Sequence, residues 1–174
     1  MNGLTDTDLV RAYLAGDRDA GQALMRRHLG GAYRVARGIC RDPHLADDAV
    51  QAGIERALLY LRGFDQTRPF APWLTRIVAN QAITLAERAG RERPEEPGII
   101  DAMAGGRDDP APLDLLTALG DLPVPQRAVV VLRLAGFSPA ETAEILDIPT
   151  GTVHSRLSRG LDRLAHSLGQ PIDG

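Results

Sequence analysis

The sequence predicts an all-α protein made of two small helical domains joined by a flexible acidic linker. Aromatic residues make up only 4% of the 174 residues, and strand-favouring types are scarce beside the many alanines and leucines. Apolar residues recur at helical spacing on both sides of residues 93–112. That segment is rich in proline, glycine and acidic residues, which is typical of a linker. We therefore expect domains at residues 1–92 and 113–174.

Charge is distributed unevenly along the chain. The 20 basic residues, all arginine, and 23 acidic residues give a net charge of −3. Residues 1–93 contain 14 arginines and 11 acidic residues, whereas residues 94–120 contain one arginine and six acidic residues. The acidity is thus concentrated around the predicted linker, and the N-terminal domain is basic.

Several classes of protein are not indicated by the sequence. It contains no apolar run of about 18 residues and no N-terminal signal pattern, so we expect a cytosolic protein without membrane contact. The single cysteine, Cys40, lacks the partner cysteines of a zinc site even though His44 is near, and we expect it to be a packing residue. A glycine-rich phosphate loop, a nucleophile motif and metal-ligand spacing are absent, so we expect no enzyme activity, cofactor or small-molecule substrate.

Four helices are predicted in the N-terminal domain. Thr5 is placed to cap a first helix that begins near Asp6. The next two helices are expected at residues 19–40 and 45–61, separated by a turn at residues 41–44. Glycine and proline interrupt the pattern at residues 63–70, and a fourth helix is expected at about 71–88.

The C-terminal domain also shows four helical patterns with short turns. The second pattern ends at Gly136. Ser138, Pro139 and Glu141 then stand where a helix has its N-cap, its first proline and its capping-box acid. This third helix is expected to end near Leu146, and Thr150 is placed to cap the fourth.

The last two helices have the features of a helix-turn-helix. Ala143 is the small residue needed where the helices cross, and Asp147 tolerates the left-handed turn position better than most residues. The apolar anchors are Leu146, Ile148 and Val153. With Val153, Leu157 and Leu161 facing inward, polar side chains of the fourth helix face outward toward base edges and phosphates. The alternative is a small helical bundle whose arginines are merely solvated.

These motifs resemble those of extracytoplasmic-function (ECF) sigma factors, members of the sigma-70 family. LPVPQR at residues 122–127 and GTVHSRLSR at residues 151–159 are similar to region 4 of that family. DLVRAYLAGD at residues 8–17, ADDAVQ at 46–51 and FAPWLTRIVANQA at 70–82 are similar to region 2. The resemblance covers nearly the whole chain outside the linker.

The resemblance implies a sigma factor that directs RNA polymerase core to promoters. Region 4 would contact the upstream (−35) element and the polymerase flap, and region 2 would dock on the clamp helices and capture a base flipped from the downstream (−10) element. The implied −35 contacts are Thr150, Thr152, His154, Ser155, Arg156, Ser158, Arg159 and Arg163. The implied −10 contacts are Phe64, Trp73, Arg76, Asn80 and Arg88, and the implied polymerase contacts are Asp47, Asp48 and Gln51. An anti-sigma factor is the usual further partner in the family.

The sequence departs from the family pattern at a few positions. Ala52 and Gly53 follow Gln51 where the family usually has an acid and then a Thr or Val, and Ala79 replaces an arginine before Asn80. His154 replaces a Lys or Arg in the recognition helix, which removes one ionic contact. We interpret these changes as weakening the binding of DNA and of polymerase.

Two alternative functions are therefore open. A degenerate sigma-like decoy would bind an anti-sigma factor without supporting transcription. A free-standing helix-turn-helix regulator would bind DNA without polymerase. Among the implied −10 contacts, Trp73 also fits a core role, and Asn80 is the more informative residue, because a polar amide within an apolar helix stripe requires a hydrogen-bond partner.

Overall fold

The computed structural model describes residues 3–92 and 113–168, and these residues are helical with short turns and no strand. The predicted linker at 93–112 lies outside the described residues. The helices are α1 (Asp6–Leu14), α2 (Arg18–Ile39), α3 (Pro43–Tyr60), a 3-10 turn (Leu61–Gly63), α4 (Phe70–Glu92), α5 (Leu113–Gly120), α6 (Val124–Leu134), α7 (Pro139–Leu146) and α8 (Thr150–Ser167). The predicted all-α class is confirmed. No helix of the described part is long and apolar enough to span a membrane.

Side-chain caps fix where the N-terminal helices begin. Thr5 forms the predicted cap of α1, in a capping box with Asp8. The Asp17 carboxylate accepts hydrogen bonds from the first turn of α2. Helix α3 begins at Pro43 rather than at residue 45, because Asp42 accepts the His44 N–H at 2.8 Å and proline suits the first helical position. Of the predicted turn at residues 41–44, residues 41 and 42 form the bend between α2 and α3, and residues 43 and 44 begin α3.

Helices α2, α3 and α4 form the core of the N-terminal half. Helix α3 lies against α4 at Gly53, which is buried. A Cβ added at Gly53 would lie 2.6 Å from Val78 Cγ2 and 3.1 Å from Val78 Cα. Gly53 is thus a close-packing position that faces α4. The interpretation that Gly53 weakens the binding of polymerase is not supported by this position.

The two halves of the chain pack against each other. Helix α2 contacts α5 and α6, and α4 contacts α6 and α7. One hydrophobic cluster contains buried side chains from both halves, among them Ile39, Leu74 and Val130. At the α2–α6 contact, Val131 Cγ2 would lie 2.7 Å from a Cβ added at Gly38. The sequence analysis did not predict this contact between halves.

Candidate nucleic-acid interface

Helices α7 and α8 form a helix-turn-helix whose local geometry agrees with the sequence. Ser138 caps α7 in a capping box with Glu141, as predicted. Asp147 has the left-handed conformation, with φ 54° and ψ 50°, and the Ile148 N–H donates to the Ala143 carbonyl at 3.0 Å. Val153 is fully buried and packs with Val129 and Ala143. The turn and this small core together fix the direction in which α8 leaves α7.

The polar face of α8 is available to a partner. Of the residues predicted to contact the −35 element, Thr150, His154, Ser158, Arg159 and Arg163 are exposed, and Thr152, Ser155 and Arg156 are half-buried. The arginines Arg156, Arg159 and Arg163 form no ion pair within residues 3–92 and 113–168. The Ser155 hydroxyl donates to the Thr152 carbonyl at 3.1 Å and keeps its acceptor capacity. Three unpaired guanidinium groups therefore lie on or beside one helix face.

Two predictions about α8 are wrong. Thr150 is not the cap, because Pro149 occupies the N-cap position and makes no side-chain hydrogen bond. Leu161 does not face inward and is 46% exposed. The buried neighbour is Gly160, where an added Cβ would lie 2.7 Å from Val130 Cγ2. Helices α6 and α8 approach so closely at Gly160 that no side chain fits between them.

A second polar stripe follows the outside of α4. Arg76, Asn80, Thr84 and Arg88 are exposed at intervals of four residues. Asn80 was predicted to lie within the apolar stripe, but this prediction is wrong. Asn80 is exposed, so its side chain needs no partner in the protein. Ala79 is fully buried and packs in the core of this chain. Three of the five predicted −10 contacts thus share one exposed face.

Phe64 and Trp73, the other two predicted −10 contacts, lie in an aromatic cluster with Phe70. The ring centroids of Phe64 and Trp73 are 4.9 Å apart, and those of Phe64 and Phe70 are 5.4 Å apart. Phe64 is buried and Trp73 is half-buried. In this conformation only Trp73 offers part of its surface to a partner, because Phe64 is covered by its neighbours.

The loop between the 3-10 turn and α4 is held by its own polar side chains. The Asp65 carboxylate accepts hydrogen bonds from the Thr67 N–H at 2.9 Å and from the Thr67 hydroxyl at 2.7 Å. The hydroxyl contact, followed by the backbone contact, lowers the pKa of Asp65. Arg68 of this loop pairs with Glu144 of α7 at 2.5 Å. The loop beside α4 is therefore joined to the helix-turn-helix, a contact for which the sequence offers no signal.

The predicted polymerase contacts lie on the exposed face of α3. Asp47, Asp48 and Gln51 are exposed, and the Gln51 side chain donates to Glu55 at 3.2 Å. At the end of the same helix, Leu59 and Tyr60 are 76% and 62% exposed. The sequence analysis missed these two residues. A signal was present, because Leu58, Leu59 and Tyr60 are three consecutive apolar residues, and the last turn of an amphipathic helix directs only part of such a run toward the core.

The described residues contain no group of three His, Cys, Asp or Glu side chains that could hold a metal ion. Cys40 is buried, and its thiol lies 3.7 Å from the Ala82 carbonyl oxygen. Burial raises the pKa of Cys40 to about 11. Cys40 is thus a packing residue, as predicted.

Known proteins resemble this chain over most of its length. The Sigma-70 region 2 model matches residues 24–92, and the model of Sigma-70, region 4 matches residues 113–164. The ECF RNA polymerase sigma factor SigM of Mycobacterium tuberculosis is 36% identical over 170 residues, which are 95% of this chain and 85% of SigM. SigW of Bacillus subtilis is 29% identical over 181 residues, covering 91% of this chain and 94% of SigW.

Two solved structures have a similar backbone. CnrH, in complex with the cytosolic domain of CnrY, has a TM-score of 0.70 and 28% identity, and the match covers 94% of this chain and 97% of CnrH. The sigma factor RpoE from Bartonella quintana, in complex with the anti-sigma factor NepR, has a TM-score of 0.69 and 26% identity, and the match covers 88% of this chain and 98% of RpoE.

Proposed function

The chain belongs to the ECF RNA polymerase sigma factor family, and on that premise we propose how it directs RNA polymerase core to promoters. Residues 1–92 act as region 2, residues 113–174 act as region 4, and residues 93–112 link them. The two family matches at 24–92 and 113–164 support this division. We place the protein in the cytoplasm and assign it no catalytic activity.

Helix α8 is the proposed contact with the −35 element. The observation that carries this proposal is the exposed polar face of α8 beside a well-formed helix-turn-helix, with arginines that have no partner in the described chain. Ser155, Ser158 and Arg159 would contact base edges in the major groove. Arg156 and Arg163 would contact phosphates, which fix the register of the helix on the duplex.

Helix α4 and the loop before it are the proposed contacts with the −10 element. Arg76, Asn80 and Arg88 would follow the DNA strand along the exposed stripe. A flipped base needs a stacking surface that offsets the lost stacking in the duplex. Trp73 supplies part of that surface, and access to Phe64 requires its aromatic neighbours to move.

Helix α3 is the proposed contact with the polymerase clamp. Its exposed face combines the acids Asp47 and Asp48 with Gln51, and it ends in the exposed apolar pair Leu59 and Tyr60. Apolar residues beside charged ones are typical of the centre and rim of protein interfaces. We therefore add Leu59 and Tyr60 to the proposed polymerase contacts, with the flap as the partner of the C-terminal half.

An anti-sigma factor is the proposed further partner. RpoE was solved in complex with the anti-sigma factor NepR, and CnrH with the cytosolic domain of CnrY. Of the departures that motivated the decoy alternative, Gly53 and Ala79 have packing roles in this fold, whereas Ala52 is half-buried and His154 is exposed. A free-standing regulator would leave the exposed polar faces of α3 and α4 without a binding partner. Both alternatives are therefore weaker than the sigma factor.

Promoter-directed run-off transcription tests the proposal. Purified core polymerase and the full chain are incubated with a library of upstream sequences, and we expect one defined start site. The double variant Ser155→Ala/Arg159→Ala should lose it, because each base contact contributes about 1–3 kcal/mol, or roughly 5- to 150-fold in affinity. His166→Ala, also on the exposed side of α8, is the matched control and should remain active.

The failures of this experiment are distinguishable. A double variant as active as the wild type would remove α8 from upstream recognition. A silent wild type that still binds core in gel filtration would place the defect in DNA opening. A silent wild type that does not bind core would favour the decoy.

A further inference from the structure

A series of side-chain contacts connects helix α1 to the aromatic cluster of the proposed −10 site. It runs from Asp6 of α1 through His28 of α2 to Phe70, the first residue of α4. Phe70 in turn contacts Trp73. Helix α1 lies before residue 24, where the match to the Sigma-70 region 2 model begins, and it makes none of the proposed contacts with DNA or polymerase.

The Asp6 carboxylate fixes the imidazole ring of His28. One carboxylate oxygen accepts from Nε2 of His28 at 2.9 Å, and the other pairs with Nη1 of Arg27 at 2.7 Å. Because a carboxylate has no proton to donate, Nε2 of His28 carries the hydrogen of this contact. Arg27 also donates to the Leu4 carbonyl at 2.9 Å, which joins it to the segment just before α1. Both oxygens of Asp6 are therefore engaged, and the His28 ring is held in one orientation.

The ring of His28 packs against Phe70. Their centroids are 5.2 Å apart, with the two planes inclined at 53°. The His28 side chain is 18% exposed and Phe70 is 2% exposed, so the contact is largely shielded from solvent. The Phe70 centroid lies 5.4 Å from that of Trp73 and 5.4 Å from that of Phe64. Through Phe70, the position of His28 thus affects both aromatic residues of the proposed −10 site.

A second contact joins α1 to the loop before α4. Nε of Arg11 donates to Oε1 of Gln66 at 3.2 Å. Gln66 is half-buried and belongs to the loop at residues 64–69. Leu9 and Val10 of α1 are fully buried and anchor the helix in the core. Helix α1 therefore supports the proposed −10 site both at the loop and at the aromatic cluster.

We propose that His28 is a positioning residue of the −10 site, with Asp6 as the group that orients it. The inference rests on the proposed function, because it explains how the stacking surface of Trp73 is kept in place. A flipped base gains most from an aromatic surface that is already ordered, since ordering it on binding would cost part of the binding free energy. His28 itself contacts no DNA and acts through Phe70.

Tryptophan fluorescence of the full chain tests the support of the cluster without DNA or polymerase. Trp73 is the only tryptophan in the sequence, so the emission reports on this cluster alone. We expect His28→Ala to shift the emission maximum to longer wavelength and to increase quenching by acrylamide, because Phe70 loses the ring that packs against it. His166→Ala removes a histidine from the exposed side of α8 and should leave the emission unchanged.

The promoter defined by run-off transcription then separates DNA opening from upstream binding. Permanganate reactivity of unpaired thymines measures opening by the holoenzyme, and gel shift with a duplex that contains only the −35 element measures upstream binding. His28→Ala should slow opening by about 3- to 10-fold, the usual contribution of one aromatic contact, and should leave upstream binding unchanged. His28→Gln keeps a donor for Asp6 and removes the ring, so it gives the same test if His28→Ala fails to fold by circular dichroism.

The contrary results are specific. Wild-type emission in the folded His28 variant, or opening at the wild-type rate, would overturn the proposal. Equal losses of opening and of upstream binding would show that His28 only stabilises the fold, and would overturn it too. A wild type that is silent in run-off transcription would contradict the proposed function, while the emission of Trp73 still decides whether His28 supports the cluster.

Discussion

Val131 of α6 fills the space that a side chain at Gly38 of α2 would occupy. The two γ-carbons of Val131 lie 2.7 and 2.9 Å from the position of a Cβ at Gly38. Valine has little rotameric freedom with which to move away. The contact between the two halves of the chain therefore requires a residue without a side chain at position 38, in the last turn of α2.

We expect Gly38→Ala to destabilise the protein by about 1–3 kcal/mol, the usual effect of overpacking. The free energy of unfolding from urea titration measures it. The double variant Gly38→Ala/Val131→Ala should recover part of the loss. Gly31→Ala on the same helix is the control, because nothing lies within 4 Å of its added Cβ. It should stabilise α2 by up to about 1 kcal/mol. Equal effects of the two single variants would contradict the packing argument.

The packed arrangement of the halves must open for promoter binding. Elements named −10 and −35 are about 25 base pairs, or roughly 85 Å, apart on B-form DNA. A compact chain of this length has a diameter of only about 40 Å. Cysteines at positions 68 and 144, joined by a short bismaleimide crosslinker, should hold the halves together. We expect the crosslinked Arg68→Cys/Glu144→Cys variant to lose run-off transcription.

The same double variant without crosslinker is the control for this experiment. An exposed ion pair contributes at most about 1 kcal/mol, so its loss alone should leave transcription near the wild-type level. The native thiol should not react, because Cys40 is buried. Full transcription by the crosslinked protein would show that opening is not required.

Gly53→Ala should destabilise the protein although alanine is the better helix former. The added Cβ would lie within 3.1 Å of the Val78 backbone, which cannot yield as a side-chain end can. We expect a loss of about 1–3 kcal/mol in the free energy of unfolding. Gly90→Ala on α4 is the matched control, because its added Cβ meets no atom within 4 Å. A higher free energy of unfolding for Gly53→Ala than for the wild type would contradict the close approach of α3 and α4 at this position.

The capping box of α7 should make stability depend on acidic pH. Hydrogen bonds from the Ser138 backbone and then from its side chain lower the pKa of Glu141 below 4.5. The stability that this carboxylate contributes is therefore present above pH 4.5 and is lost as pH falls through its lowered folded-state value. Urea midpoints measured from pH 6 to pH 3 should fall less steeply for Glu141→Gln than for the wild type. Identical slopes would exclude the linkage.

Ser138 tests the same cap at neutral pH. Ser138→Ala removes the acceptor for the Glu141 N–H and should cost about 1 kcal/mol of stability. Ser167→Ala is a suitable control, because Ser167 is exposed at the end of α8 and caps no helix. A loss of the same size in the control would indicate a general effect of removing serines.

Local signals allowed the helix-turn-helix to be predicted in detail. The capping box at Ser138 and the left-handed Asp147 depend on neighbouring residues alone, so the sequence contains the information. The cap of α8 was predicted one residue late, because Pro149 already has the extended backbone of an N-cap and Thr150 falls in the first turn. A proline offers no side-chain acceptor, which is why the pattern favoured threonine.

Contacts between distant segments were not predictable in the same way. The sequence analysis treated Gly53 only as a departure from the family pattern and did not consider Gly38, yet each provides room for a valine from another helix. Asn80 was assigned to an apolar stripe, because the residues around it are apolar and the phase of a long helix is hard to fix from spacing alone. The site residues on α8 and α4 followed from the resemblance, whereas the Arg68–Glu144 pair depends on tertiary packing.

The burial of Cys40 has a consequence for oxidative signalling. A cysteine that senses peroxide reacts as its thiolate and needs solvent access. Cys40 is 2% exposed, and with a pKa of about 11 only about one thiol in ten thousand is ionised at pH 7. The folded protein therefore protects this thiol from peroxide, and Cys40 is not suited to sense an oxidant.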